Sequence, residues 1–198
     1  MQSPLAIPPA ISPLYSTKRL SLDEFLSLCK ENPELQAELE PDGRIKIMSP
    51  VSFGSGRNEA KFIIKLGIYA EEVGGEVASS AVGLKLPDGS VRSPDACYIT
   101  KEKIANFTDE DFRHFLPVVP EFVVEVASPS DAITDLEAKM RESWIANGVR
   151  LAWLADVDND RLWIYRADRS VELVSPLDRT ITGEDVLPGF TFDLNLLS

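Results

Sequence analysis

Past residue 20 the chain is built from segments of two hydrophobic periods. Leu22, Phe25, Leu26 and Cys29 recur at helical spacing and predict a helix over 22–31. Ser21, with Glu24 three residues on, makes a capping box at its start. Extended runs at 35–40 and 44–48 flank Pro41-Asp42-Gly43, which is turn chemistry, so a hairpin is expected. Phe62, Leu66, Tyr69 and Val73 mark one stripe of a long helix over 58–73, which Gly54, Ser55 and Gly56 precede as a loose stretch. Short strands are expected at 77–79 and 82–86, a second Pro-Asp-Gly turn at 87–89, and a strand over 91–99. Residues 122–127 form the most apolar short run, which fits a central strand covered on both faces. A second long helix follows over 134–147, with Thr134 and Glu137 as its capping box, then strands at 150–155, 161–167 and 171–174.

The order helix, hairpin, helix, strands, helix, strands predicts an α/β fold: a mixed central sheet flanked by helices on both sides. Strand 122–127, helix 134–147 and strand 150–155 read as a right-handed crossover. One domain is expected over 17–198, preceded by an extended arm over 1–16 broken by Pro4, Pro8, Pro9 and Pro13. The arm lacks the basic start and apolar run of a signal peptide. No apolar run approaches the ~20 residues needed to span a bilayer. No membrane association and a cytoplasmic location are therefore expected.

Composition narrows the chemistry. There is one histidine, His114, and there are two cysteines, Cys29 and Cys97, each inside an apolar stretch. A His-rich zinc site and a disulfide framework are excluded. A Ser-His-Asp triad could be built only through His114, so catalysis in this chain is expected to run on carboxylates, lysine and a hard metal. Trp144, Trp153, Trp163, Phe190 and Phe192 read as core, and Asp156, Asp158 and Asp160 as a turn lacking the glycine and distal glutamate of a calcium loop. The net charge of −12 opposes tight DNA binding unless the few cations gather on one face. Arg57, Lys61, Lys65, Lys85 and Arg92 are the candidates for such a cluster.

Three residues stand out as candidate chemistry. Glu125 lies in the apolar strand on the face it shares with Val123 and Ala127, where its lost hydration demands a partner or a metal. Asp95 follows Pro94 at the start of a strand. Lys139 lies on the flank of the stripe Leu136, Met140, Trp144. From there its ammonium can reach back to the strand ends, and its removal is expected to leave stability nearly unchanged.

An Asp after Pro, a strand Glu about thirty residues later and a nearby lysine resemble the PD-(D/E)xK nuclease superfamily. The text is most similar to its bacterial Uma family of putative restriction endonucleases. The resemblance is carried by 20–25, 38–50 with Gly43 and Met48-Ser49-Pro50, Ser93-Pro94-Asp95, 120–131, Lys139, 148–156 with Trp153, and Leu187-Pro188-Gly189-Phe190. It implies a restriction-endonuclease-like fold and hydrolysis of DNA phosphodiester bonds. It also implies Asp95 and Glu125 as ligands of Mg²⁺ or Mn²⁺, and a lysine that positions or activates the attacking water. Ala127 stands at the usual lysine position, so Lys139 takes that role, and Glu59 on the first long helix completes the site. DNA is the implied partner, with self-association into a homo-oligomer possible on sequence grounds. The other readings are a non-catalytic binding or assembly protein of the same fold, and a metal-dependent hydrolase of a small phosphate ester.

Overall fold

A computed structural model describes residues 14–197. The expected arm lies outside the described residues up to residue 13. Residues 14–16 open strand β1 (Leu14–Arg19). Helix α1 (Leu22–Glu31) starts where the capping box places it, with Ser21 Oγ accepting from Glu24 N at 3.2 Å and Glu24 Oε2 from Ser21 N at 2.8 Å. Strands β2 (Ala37–Leu39) and β3 (Arg44–Ile47) form the expected hairpin. Gly43 closes its turn at φ +85°, where a Cβ would stand 2.8 Å from the Leu20 carbonyl oxygen. Only glycine meets both conditions.

Helix α2 (Phe53–Val73) begins at Phe53 rather than at 58. Ser52 is its N-cap, with Oγ accepting from Ser55 N at 3.2 Å. The cap and the burial of Ser55 and Asn58 offset the weak propensity of Gly54 and Gly56, which fall in the first turn. Then come β4 (Glu76–Ser79), β5 (Leu84–Lys85), β6 (Val91–Arg92) and β7 (Ala96–Ile99). The single strand expected over 91–99 is thus two strands in different sheets, parted at Ser93-Pro94-Asp95. Pro94 has no N–H for a ladder. Helix α3 (Lys101–Ile104) and β8 (Phe122–Val126) follow.

Helix α4 (Ile133–Ala138) runs on as a π-helix over Lys139–Ile145. Its N-cap is Ala132, so the expected Thr134–Glu137 capping box does not form. The chain is instead turned into the helix by Asp131, whose Oδ2 accepts from Ser128 N at 2.8 Å and Ser128 Oγ at 2.7 Å. Strands β9 (Leu151–Asp156), β10 (Arg161–Arg166) and β11 (Val171–Val174) lie close to their expected ranges. The hairpin of β12 (Thr180–Gly183) and β13 (Leu187–Asp193) has no counterpart in the sequence reading.

The central sheet has the order β11-β10-β9-β8-β7-β4, with β8 and β9 parallel and every other pair antiparallel. One face packs Phe122, Val124 and Trp153 against Phe62 and Leu66 of α2 and Phe190 and Phe192 of β13. The Phe62 and Phe192 rings stack at 4.3 Å. The other face packs Cys97, Val123, Ala152 and Leu154 against Leu136, Met140 and Trp144. This is the mixed sheet with helices on both sides that the sequence predicts. A second, antiparallel sheet, β1-β3-β2-β6-β5, holds its own core of Phe25, Leu39, Ile45 and Val91.

Candidate active site

The site forms where the two sheets meet. β7 and β8 pair Ala96 with Val124 and Cys97 with Val123. One further step along that register sets Asp95 opposite Glu125 on the same face. Asp95 ends the ladder with its side chain, Oδ2 accepting from Val126 N at 2.6 Å. Glu125 points away from α2, toward the π-helix, and is 3% exposed. Its Oε1 accepts from Trp144 Nε1 at 2.8 Å and lies 2.9 Å from Lys139 Nζ. Lys139 and Trp144 are five residues apart, and a ladder closing every five residues stacks such positions on one face. The π segment thereby aims both donors at one carboxylate.

Lys139 reaches back to the strand ends as its place on the helix predicts, but it is more deeply buried than a flank residue. Its side chain is only 10% exposed, and the ammonium also lies 3.0 Å from Glu38 Oε1 and 3.3 Å from the Ser93 carbonyl oxygen. Burial works against its charge, but Glu125, Glu38 and Asp95 together outweigh it and raise the pKa, so the lysine is held charged. Removal of this cation is therefore expected to carry a large stability cost, where its place on the helix alone suggested a small one.

Glu38 is the residue that sequence reasoning missed. It is fully buried on β2, accepting from Ser93 N at 2.9 Å through Oε1 and from Arg92 at 3.2 Å through Oε2. Burial pushes its carboxyl up, but Lys139 and Arg92 hold it down at about 2. A three-residue strand is too short to reveal an inward face, so no periodicity marks it. The stability this carboxylate contributes is present above its ordinary value of 4.5 and is lost as the pH falls toward about 2. Glu38→Gln is expected to flatten the acid limb of stability in that window, read by urea denaturation at stepped pH.

The carboxylates crowd one another. Burial first, then Glu125 and Glu59, push Asp95 well above the usual carboxylate range. Burial first raises Glu125 as well, with Glu38 adding to it and Lys139 opposing. Glu59 projects from α2, is 8% exposed, and is raised by burial and by Glu125. Its Oε1 is buried without a hydrogen-bond partner. Asp95, Glu125 and Lys139 border a cavity of about 130 Å³, which shares Lys139 and Lys46 with a neighbouring cavity of about 410 Å³.

Among the described residues, no three His, Cys, Asp or Glu side chains form a ready-made metal cage. A hard ion of the Mg²⁺ type needs less: one or two carboxylates, the remaining positions being water. Mutually repelling carboxylates and an orphaned buried oxygen fit a divalent cation.

Two of the cations expected at the cleft are elsewhere. Arg92 is buried and spent on Glu40, at 2.7 Å through each terminal nitrogen, and on Glu38. Lys85 borders a different cavity, beside Arg113 and His114. Arg57, Lys61 and Lys65 lie on α2. The lone His114 is exposed and sits 3.5 Å from Glu110. No helix among the described residues is long and apolar enough to cross a membrane.

A six-stranded mixed sheet between helix layers, with carboxylates at the paired ends of two neighbouring strands, is the restriction-endonuclease-like arrangement. A crystal structure of a putative nuclease belonging to DUF820 from Anabaena variabilis ATCC 29413 has this fold. It superposes with a TM-score of 0.73 at 16% identity, covering 90% of this chain and 97% of that one. The Uma2 family model, described as "Putative restriction endonuclease", matches residues 22–196, and the chain belongs to that family. No curated protein matches the chain.

Proposed function

We propose that the chain is a metal-dependent endonuclease that hydrolyses DNA phosphodiester bonds at the Asp95–Glu125 pocket. The observation that carries this reading is the half-buried Asp95 set against the buried Glu125. The register of β7 and β8 brings Asp95 opposite Glu125, where burial and that neighbour raise its pKa, and a charged lysine lies 2.9 Å from Glu125. Asp95 and Glu125 would hold Mg²⁺ or Mn²⁺. When bound, such an ion supplies Lewis acidity toward the phosphoryl oxygens. Lys139 brings a fixed positive charge to the place where negative charge builds on the phosphoryl group. Glu125 and Glu38 fix that ammonium in place, so little reorganisation accompanies the reaction. Glu59, with a free carboxylate oxygen and a raised pKa, is suited to take the proton of the attacking water.

The test is cleavage of supercoiled plasmid and of bis(p-nitrophenyl) phosphate, each with Mg²⁺ and with chelator. Plasmid nicking that needs Mg²⁺ is expected. Turnover of the small diester alone would identify a small-ester hydrolase. Inactivity on both with Mg²⁺ and with Mn²⁺ would identify a non-catalytic member of the fold.

A further inference from the structure

The lysine beside Glu125 has no N–H to spare for a substrate. An ammonium carries three donors. Those of Lys139 already face three acceptors: Glu125 Oε1 at 2.9 Å, Glu38 Oε1 at 3.0 Å and the Ser93 carbonyl oxygen at 3.3 Å. Its charge is felt in the cavity, but a phosphoryl oxygen can take a hydrogen bond from it only by displacing one of these. Arg92, the next buried cation, is spent on Glu38 and Glu40. Arg44, which borders the larger neighbouring cavity, is paired with Asp42 at 2.8 Å. A phosphodiester brings one more negative charge to this place, so a further cation is needed.

Lys46 is placed to supply it. β3 runs between β1 and β2, with Lys46 aligned to Tyr15 on one side and to Glu38 on the other. Aligned residues share a face of the sheet. Ile45 and Leu39 turn the opposite face toward the core around Phe25. Lys46 therefore stands beside Glu38 on the face turned to the active site. It is half-buried and borders both the cavity of about 130 Å³ at Asp95 and Glu125 and the adjoining one of about 410 Å³. Burial raises the Glu38 carboxyl, and Lys46 adds to Lys139 and Arg92 in bringing it down. Among the described residues the Lys46 ammonium makes no hydrogen bond and no ion pair.

We infer that Lys46 is a catalytic residue that holds the scissile phosphate at the junction of the two cavities, donating to a non-bridging oxygen. Lys139 then acts through its fixed charge alone. A lysine is a compact charge on a flexible stem, so an uncommitted one can follow the phosphoryl group as negative charge builds on it. The inference rests on the phosphodiesterase reading, but one arm of its test reads binding without metal or cleavage.

The experiment compares full-length wild type, Lys46→Ala and Lys46→Arg. It uses urea denaturation, fluorescence anisotropy of a labelled 20-base-pair DNA in EDTA, and plasmid nicking with Mg²⁺. Lys46→Ala is expected to keep the wild-type urea midpoint, unlike Lys139→Ala. It should bind DNA about tenfold more weakly, as befits one lost charged hydrogen bond. The salt slope of log affinity should fall by about 0.9, one phosphate contact. Nicking should slow about 10²-fold. Lys46→Arg keeps the charge and should recover most of the binding. Lys30→Ala, on the helix that covers the opposite face of this sheet, is the control and should change neither binding nor nicking. Binding and nicking unchanged in Lys46→Ala overturn the inference and leave the phosphodiesterase reading standing. A lowered urea midpoint with unchanged DNA affinity would show that Lys46 serves only to neutralise Glu38, and also overturns it. If Lys46→Ala weakens binding as expected but wild type cuts nothing with Mg²⁺ or Mn²⁺, the catalytic reading fails and Lys46 stands as a phosphate contact. A wild type that neither binds nor cuts DNA sinks both.

Discussion

Asp95→Asn should abolish cleavage and at the same time make the metal-free protein more stable. The substitution removes a negative charge from a place where three carboxylates disfavour one another. It keeps an oxygen that can still accept from Val126 N, the 2.6 Å bond that ends the ladder. Asp95 carries a pKa raised by burial, Glu125 and Glu59. Above that raised pKa its charge destabilises the folded state, and the penalty is relieved as the pH falls through it. At pH 7 in EDTA the variant is therefore expected to melt above wild type. A gain of about 1 kcal/mol would appear as about 2–4 °C in a domain of this size. Mg²⁺ should reverse the order. At a concentration one hundred times its dissociation constant it would stabilise wild type by about 2.7 kcal/mol, and the variant hardly at all. Cleavage should fall about 10²–10³-fold, the scale seen when a group that stabilises transition-state charge is lost. Calorimetry with and without Mg²⁺, beside a nicking assay, checks both halves.

Lys139→Ala should be the most destabilising single change at the site. It leaves Glu38 and Glu125, both buried, without the cation that lies 3.0 and 2.9 Å from them. Breaking a buried pair by removing one partner costs about 3–5 kcal/mol. Urea denaturation should show a lower midpoint with an unchanged slope. Glu38→Gln removes one of the stranded charges, so Glu38→Gln/Lys139→Ala should recover part of the loss. The double-mutant cycle isolates that coupling. A Lys139→Ala variant as stable as wild type would mean that the ammonium is not seated between the two carboxylates.

The sequence shows much of this fold because its strongest signals are local. The Ser21–Glu24 capping box, the Pro41-Asp42-Gly43 turn and the apolar run around Glu125 each specify their element without help from distant residues. The misses come from competing local pairs and from contacts at longer range. Thr134 and Glu137 have the spacing of a capping box, but Asp131 captures Ser128 first and the helix starts at Ile133. The break between β6 and β7 is set by which sheet each half joins, which Pro94 hints at and does not decide. The opposition of Asp95 and Glu125 depends on strand register. Periodicity alone gives only the face of each residue. Glu38 is the hardest case. It lies in a three-residue strand, and its partners Arg92, Ser93 and Lys139 are remote in sequence, so only the folded chain brings it to the site. Lys139 was found for its reach, while its burial depends on a π turn that no local pattern announces.

The central claim is that Asp95 and Glu125 together hold the divalent ion of a phosphodiesterase. The most direct measurement is anomalous diffraction from a crystal of this protein soaked in Mn²⁺. The account predicts one strong anomalous peak within coordination distance of oxygens from both Asp95 and Glu125, absent from Asp95→Asn crystals soaked in the same way. A pocket that stays free of Mn²⁺ while the ion occupies carboxylates elsewhere on the surface would contradict it.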